Sequence, residues 1–124
     1  MIELGTLHGR PVVSVRLVGM QSATELGELS GAIARCVPGG EPLRILFDWT
    51  ALEGWDVVEM GVSGCCRQWM SVACRIERVS IVHAHRWNRQ ASLLAAALRR
   101  QAAVVRSWPP RRLSDAIDWL ADDR

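Results

Sequence analysis

One aspartate stands where an acidic side chain could take part in phosphoryl transfer or metal binding. Asp48 directly follows an apolar run, 43–47, that has the length and composition of a buried parallel strand. Open α/β sheets place ligands at the carboxyl ends of such strands. A phosphoacceptor aspartate needs acidic neighbours on an earlier strand and a lysine, but residues 18–20 are Val-Gly-Met and the chain contains no lysine. We therefore expect Asp48 to accept hydrogen bonds from the backbone that follows it.

Histidine and cysteine side chains suggest two further chemistries, metal binding and nucleophilic catalysis. His83 and His85 alternate after a short apolar segment, and Cys65 and Cys66 lie on a predicted helix. A structural zinc ion normally has four ligands at recognisable spacing, whereas only His83 and His85 are spaced so that both lie on one face of a strand. A nucleophilic cysteine with His83 and Asp48 is conceivable, but no catalytic motif surrounds the cysteines. We expect no catalytic residue, no bound metal and no cofactor.

Tryptophan is unusually frequent, with six tryptophans against one phenylalanine and no tyrosine. Trp49 and Trp55 flank the turn predicted after the buried strand, and Trp87 follows the next strand along the chain. The carboxyl ends of parallel strands share one edge of a sheet, so all three should gather there. They either close the end of the core or line a pocket or docking surface. Gly54 predicts a sharp turn that holds Trp55 outward.

Length and charge limit the class of protein. A chain of 124 residues, 49% of them hydrophobic, is expected to form a single domain over residues 1–124. The net charge of +2 comes with scattered arginines, which gives no basic stripe for nucleic acid. The longest strictly apolar run, Leu93–Leu98, is too short to cross a bilayer, and the start of the sequence lacks a secretory signal pattern. We expect a cytoplasmic protein with reduced cysteines.

The hydrophobic pattern predicts five strands and about four helices in alternation. The predicted strands are residues 2–7, 12–19, 43–47, 78–82 and 103–106, and the predicted helices are residues 22–37, 56–73, 88–101 and a last one after Pro109-Pro110. Ser22-x-x-Glu25 and Asp56-x-x-Glu59 match the capping box that opens helices. The short first connection predicts an antiparallel N-terminal strand. The predicted fold class is α/β, with a mixed, mostly parallel sheet and helices packed on it.

Three segments in this order resemble the STAS superfamily and its SpoIIAA-like branch of small bacterial proteins. They are LRILFDWTALEGW, then RIERVSIV followed by Trp87, and then Val105 and Trp108 with the closing AIDWL. The resemblance covers roughly residues 10–121. It implies a sheet of four to five strands, frequent dimers, protein partners and no intrinsic enzyme activity. For some SpoIIAA-like members it also implies a small apolar or lipid-like ligand.

One departure from the superfamily concerns regulation. In the anti-sigma-factor antagonists, a partner kinase phosphorylates a serine in an Asp-Ser-Ser-Gly turn before the second helix. The matching turn here, residues 52–56, has no serine or threonine, and Thr50 lies out of register. A second departure follows the fourth strand, where His83-Ala84 replaces the Gly-Asp that is common in the branch. We expect no phosphorylation site of that kind.

The sequence thus predicts a non-catalytic regulatory or binding module, with two hypotheses open about what it binds. In the first, the carboxyl edge of the sheet docks a protein partner or a second copy of the chain. The residues predicted to form that edge are Asp48, Trp49, Gly54, Trp55, His83 and Trp87. In the second, the space between helices and sheet holds a small apolar or lipid-like ligand. An enzyme is a distant third hypothesis.

Overall fold

The computed structural model describes residues 2–6, 12–22, 29, 32–33, 35, 42–56 and 75–122. The strands are β1 (Ile2–Thr6), β2 (Val12–Ser22), β3 (Leu43–Asp56), β4 (Ile76–Val82) and β5 (Val104–Trp108). The helices are α1 (Asn88–Arg99) and α2 (Leu113–Ala121). A short 3-10 helix precedes each of them, at His85–Trp87 and at Pro110–Arg112.

The five strands form one sheet whose order follows the chain, from β1 at one edge to β5 at the other. β1 runs antiparallel to β2, and every later pair of neighbours is parallel. Parallel neighbours need a crossover connection, and α1 lies in the one between β4 and β5. These observations confirm the predicted α/β fold with a mixed, mostly parallel sheet and an antiparallel N-terminal strand.

β2 and β3 are longer than the sequence predicts. The apolar pattern ends β2 at Gly19 and β3 at Phe47, but the strands continue to Ser22 and Asp56. Their parallel pairing extends to Ser22 opposite Asp56. The capping-box predictions at Ser22 and Asp56 depend on Glu25 and Glu59, which lie outside the described residues; the structure shows Ser22 and Asp56 as the last residues of β2 and β3. The last strand likewise ends at Trp108 and not at Arg106.

The described residues contain two complete helices, rather than about four. α1 and α2 correspond to the last two predicted helices. Of the predicted helix 22–37, the structure describes helical residues at 29, 32–33 and 35. The predicted helix 56–73 lies outside the described residues, except for Asp56, which belongs to β3.

Buried side chains form one core on each face of the sheet. The larger core joins the inward positions of the strands to Leu94 and Leu98 of α1, and also to Leu29 and Ile33. The smaller core joins strand residues to Ala116 and Leu120 of α2; its strand members are Val12, Leu46, Val82 and Trp108. α1 and α2 therefore cover opposite faces, and the carboxyl ends of the parallel strands lie between these two layers.

Candidate functional site

The predicted edge residues are divided between the two faces of the sheet. Asp48 pairs in register with Val82 of β4, a residue of the smaller core, and so lies on the α2 face. Trp49 belongs to the larger core, on the α1 face. Successive side chains of a strand point to opposite faces, which separates these two neighbours. The structure therefore does not bring the predicted residues together into one continuous surface.

Asp48 is buried, at 8% exposure, and both of its carboxylate oxygens have partners. Its Oδ1 accepts the Thr50 amide at 2.9 Å and the Thr50 hydroxyl at 2.6 Å. Its Oδ2 lies 3.9 Å from Nε of Arg16, which also pairs with Glu3 on β1 at 3.3 Å. The predicted bond from Asp48 to the following backbone is confirmed. However, Asp48 ends only the pairing of β3 with β4, since β3 itself continues.

Trp49 and His83 form the aromatic part of the edge on the α1 face. Trp49 is 3% exposed and His83 is 7% exposed, and their ring centroids are 6.3 Å apart at a tilt of 54°. The His83 Nδ1 atom lies 2.9 Å from the Ala84 carbonyl oxygen. A carbonyl only accepts, so Nδ1 is the donor in this contact. At this burial Trp49 fills the end of the core and does not form a surface.

The segment between β4 and α1 is hydrogen-bonded to the second half of β3. Arg86 donates from Nη2 to the Leu52 carbonyl oxygen at 3.0 Å, and its guanidinium lies 4.9 Å from the ring centre of Trp87. Trp87 is half-buried and packs against the larger core. The backbone amide of His83 also donates to the Trp108 carbonyl on β5, at 3.1 Å. These contacts hold the carboxyl edge in one arrangement.

Beyond Asp48, β2 and β3 continue as a pair that we call the β2–β3 extension (residues 18–22 and 51–56). Met20 lies opposite Gly54 in this pair and is 52% exposed. A Cβ atom at position 54 would lie 2.8 Å from the Met20 sulfur, so the missing side chain makes room for methionine. The turn predicted at Gly54 is wrong, because Gly54 is buried within β3. Gly19 is the glycine of this pair that has a positive φ, +74°, and it adjoins an irregularity in the pairing.

Met20 and Arg86 are two edge residues that the sequence analysis missed. Met20 lies beyond Gly19, where the predicted strand ends, so no sequence signal places it in β2. Arg86 has no distinguishing sequence signal, because its partner Leu52 is 34 positions away in the chain. Trp55 lies in β3, and its side chain is outside the described part of the structure, as are all four cysteines.

The described residues also bear on metal and membrane binding. Among them, no group of three or more histidine, cysteine, aspartate or glutamate side chains could hold a metal ion. No helix in the described ranges is long and apolar enough to cross a membrane. The chemistry that the edge residues do provide is hydrogen bonding, one exposed thioether side chain and exposed charge.

Comparisons with known proteins agree with this architecture. An uncharacterised protein from Shewanella loihica with a SpoIIAA-like fold is 15% identical, with a TM-score of 0.69, over 97% of this chain and 92% of that one. The anti-sigma factor antagonist SpoIIAA in its unphosphorylated form is 17% identical, with a TM-score of 0.56, over 95% of this chain and 98% of that one. At these identities the two structures show the fold alone. No curated protein sequence matches the chain.

The family itself is shown by the sequence. The profile of the SpoIIAA-like family matches residues 12–121, which include β2 to β5 and both helices. This confirms the resemblance seen in the three sequence segments, and the chain belongs to the SpoIIAA-like family.

Proposed function

We propose that this protein is a non-catalytic regulatory module that binds a protein partner, or a second copy of itself, at the carboxyl edge of its sheet. The fold supports a regulatory module of the STAS type, since one structural neighbour is an anti-sigma factor antagonist. Fold likeness does not name a partner or a surface. The surface is inferred from the geometry of the edge.

The observation that carries this proposal is the exposure of Met20 on a rigid support. Methionine is flexible and polarisable, and it adapts its shape to many partners. Met20 lies in β2, which pairs with β3 at this point. Arg86 stabilises β3 through its hydrogen bond to the Leu52 carbonyl. A backbone held in this way loses little conformational freedom when the surface binds. Trp49, His83 and Asp48 support the surface from within, because they are buried.

The module acts without phosphorylation at this edge. Thr50 is exposed and is the hydroxyl residue nearest to the turn that carries the serine in the antagonists. Its hydroxyl donates to the Asp48 carboxylate at 2.6 Å. A phosphate on Thr50 would break this bond and place two negative groups side by side, which electrostatic repulsion opposes.

The carrier hypothesis receives less support from the described residues. Where α1 covers the sheet, its buried residues pack directly into the larger core with strand side chains such as Val79 and Val105. Packing of this kind favours a filled core beneath α1.

The test compares two single substitutions of equally exposed residues, Met20→Glu and Leu93→Glu. Both side chains are 52% exposed, but Leu93 lies on α1, away from the β2–β3 extension. We expect sedimentation equilibrium and affinity capture from the native cells to give the same associations for wild type and Leu93→Glu. Met20→Glu should weaken the affinity of these associations about tenfold or more, because a charge would be buried at the contact.

Three results would contradict the proposal. If Met20→Glu and wild type associate equally, the surface is wrongly placed. A second contradicting result is a monomeric wild type that captures the same proteins as Met20→Glu. The carboxyl edge would then not be a binding surface. If the purified protein carries an apolar molecule in native mass spectrometry, the carrier hypothesis replaces this one.

A further inference from the structure

Five side chains at the β5 edge alternate between arginine and tryptophan. Arg112 lies 5.0 Å from the ring centre of Trp108, and Arg106 lies 5.1 Å from the same centre. Arg106 also lies 5.4 Å from the ring centre of Trp119, and Arg78 lies 5.5 Å from it. The two indole rings are 6.4 Å apart. We call this arrangement the arginine–tryptophan ladder.

Much of the ladder is explained by the stability of the fold, but Arg106 is not. Trp108 is buried in the smaller core, and Arg78 donates to carbonyl oxygens at the end of α2. Arg112 forms an ion pair with Asp115 at 2.9 Å. Arg106 is exposed, and no described carboxylate lies within ion-pair distance of it. Two indole rings therefore hold in place a cation that has no anionic partner among the described residues.

We propose that the ladder binds an acidic segment of a protein partner, with Arg106 as its main contact and Arg112 as its second. A guanidinium presents a fork of N–H donors that matches a carboxylate. Stacking on the rings fixes this fork before binding, which lowers the entropic cost of forming the contact. Arginine and tryptophan are also the residues most enriched among those that dominate binding energy at protein interfaces.

Charge and stacking favour an acidic peptide over nucleic acid. Each ladder ring already has two guanidinium groups within 5.5 Å, which leaves little aromatic face for a base. Asp115 and Asp118 are exposed on α2 beside the ladder and would repel a continuous phosphate backbone. A short acidic segment can meet Arg106 and Arg112 without running along α2.

This proposal rests on the proposed function in assuming that the chain binds proteins, but it concerns a different strand. The ladder lies on β4, β5, the 3-10 helix at Pro110–Arg112 and α2, whereas Met20 lies on β2. Loss of binding at the ladder would leave the Met20 test unaffected, and the reverse also holds. Failure of one proposal can therefore be distinguished from failure of the other.

The experiment uses the full chain, labelled with nitrogen-15, and a fluorescent tri-glutamate peptide at low ionic strength. We expect saturable binding that shifts the indole N–H signals of Trp108 and Trp119. Arg106→Gln should weaken binding about tenfold, because it removes a charge-assisted contact. Arg89→Gln, which alters an exposed arginine on α1, should leave binding unchanged. Asp115→Asn should strengthen binding, because it releases Arg112 from its ion pair.

Thermal melting of each variant checks that the fold is intact. Equal weakening by Arg106→Gln and Arg89→Gln would show non-specific attraction and overturn the proposal. Absence of indole shifts with wild type would also overturn it. Tighter binding of an oligothymidylate of matched charge would assign the ladder to nucleic acid instead.

Discussion

Asp48 and Trp49 are adjacent in the sequence but lie in different environments. Asp48 accepts two hydrogen bonds from Thr50 on the α2 face, and Trp49 fills the larger core on the other. Register explains the difference, because each step along a strand changes the face. At the scale of residues, the edge is therefore a buried support beneath a few exposed side chains, of which Met20 is the largest apolar one among the described residues of β2 and β3.

Replacing Gly54 by alanine tests what this glycine does. The new Cβ would meet the sulfur and methyl group of Met20 at 2.8 and 3.2 Å, and these atoms end a flexible side chain. Met20 can move away, and alanine is less costly than glycine within a strand. We expect the free energy of unfolding to stay within about 1 kcal/mol of wild type. The Met20 methyl signal in a carbon-13 spectrum should shift.

The control for this substitution is Gly5→Ala, since a Cβ at position 5 has no neighbour within 4 Å. Gly5→Ala should leave the Met20 signal unchanged and should not lower stability, since Gly5 also lies within a strand. A loss of more than about 3 kcal/mol for Gly54→Ala would mean that the backbone itself requires glycine at this position.

At the scale of elements, α2 is held at its carboxyl end by arginines of the sheet. Arg44 donates from Nη1 to the carbonyl oxygens of Leu120 at 2.6 Å and Asp122 at 2.8 Å. Arg78 donates to those of Trp119 at 3.0 Å and Asp122 at 2.8 Å. Arg44 and Arg78 are register partners on β3 and β4. Their positive charges lie at the negative end of the helix dipole and satisfy carbonyls that the helix leaves without partners.

Arg44→Met tests this arrangement, because methionine keeps the apolar part of the side chain and removes the donors. We expect a loss of about 1–3 kcal/mol in the free energy of unfolding, measured by chemical denaturation. Hydrogen exchange should become faster in the last turn of α2 before it changes elsewhere. Arg89→Met on α1 is the matched control and should cost little, since Arg89 is exposed. Unchanged exchange in α2 would show that Arg44 does not hold the helix end.

The elements also show what a single sequence can and cannot predict here. The apolar runs around Val12–Leu17, Leu43–Phe47 and Arg78–Val82 identify strands because burial on both faces leaves a local pattern. Strand ends follow from pairing with distant residues, so the apolar pattern alone ends β2 and β3 too early. Helices often end at a glycine in the left-handed conformation, but after α1 this conformation is adopted by Ala102, at φ 68°. The sequence therefore carries no glycine that marks this helix end.

The candidate site was harder to predict than the fold for a related reason. Its predicted members Asp48, Trp49 and His83 lie near the end of the β3–β4 pairing. Their burial depends on which face each one occupies and on the length of the β2–β3 extension. Arg86 and the arginine–tryptophan ladder depend on contacts between residues far apart in the chain.

At the scale of the whole molecule, two helical layers must be held to one sheet. Ser80 forms a link between layers, because it is fully buried on β4 and contacts both β5 and α2. Its hydroxyl donates to the Ala116 carbonyl oxygen at 3.1 Å and accepts from Nε1 of Trp108 at 3.1 Å. A serine in a central strand among valine and isoleucine is unusual in a buried parallel sheet, and these two bonds account for it.

Ser80→Ala should therefore destabilise the molecule more than the loss of one small hydroxyl suggests. The Trp108 N–H would remain buried without its acceptor, at a cost of about 1–3 kcal/mol. Ser14→Ala is the matched control, since Ser14 occupies the same row across β3 and is only half-buried. We expect chemical denaturation to show a clear loss for Ser80→Ala and almost none for Ser14→Ala. The indole N–H signal of Trp108 should shift in the first variant only. If the two variants are equally stable, Ser80 does not link the layers, and α2 is held by the smaller core and the arginines at its carboxyl end.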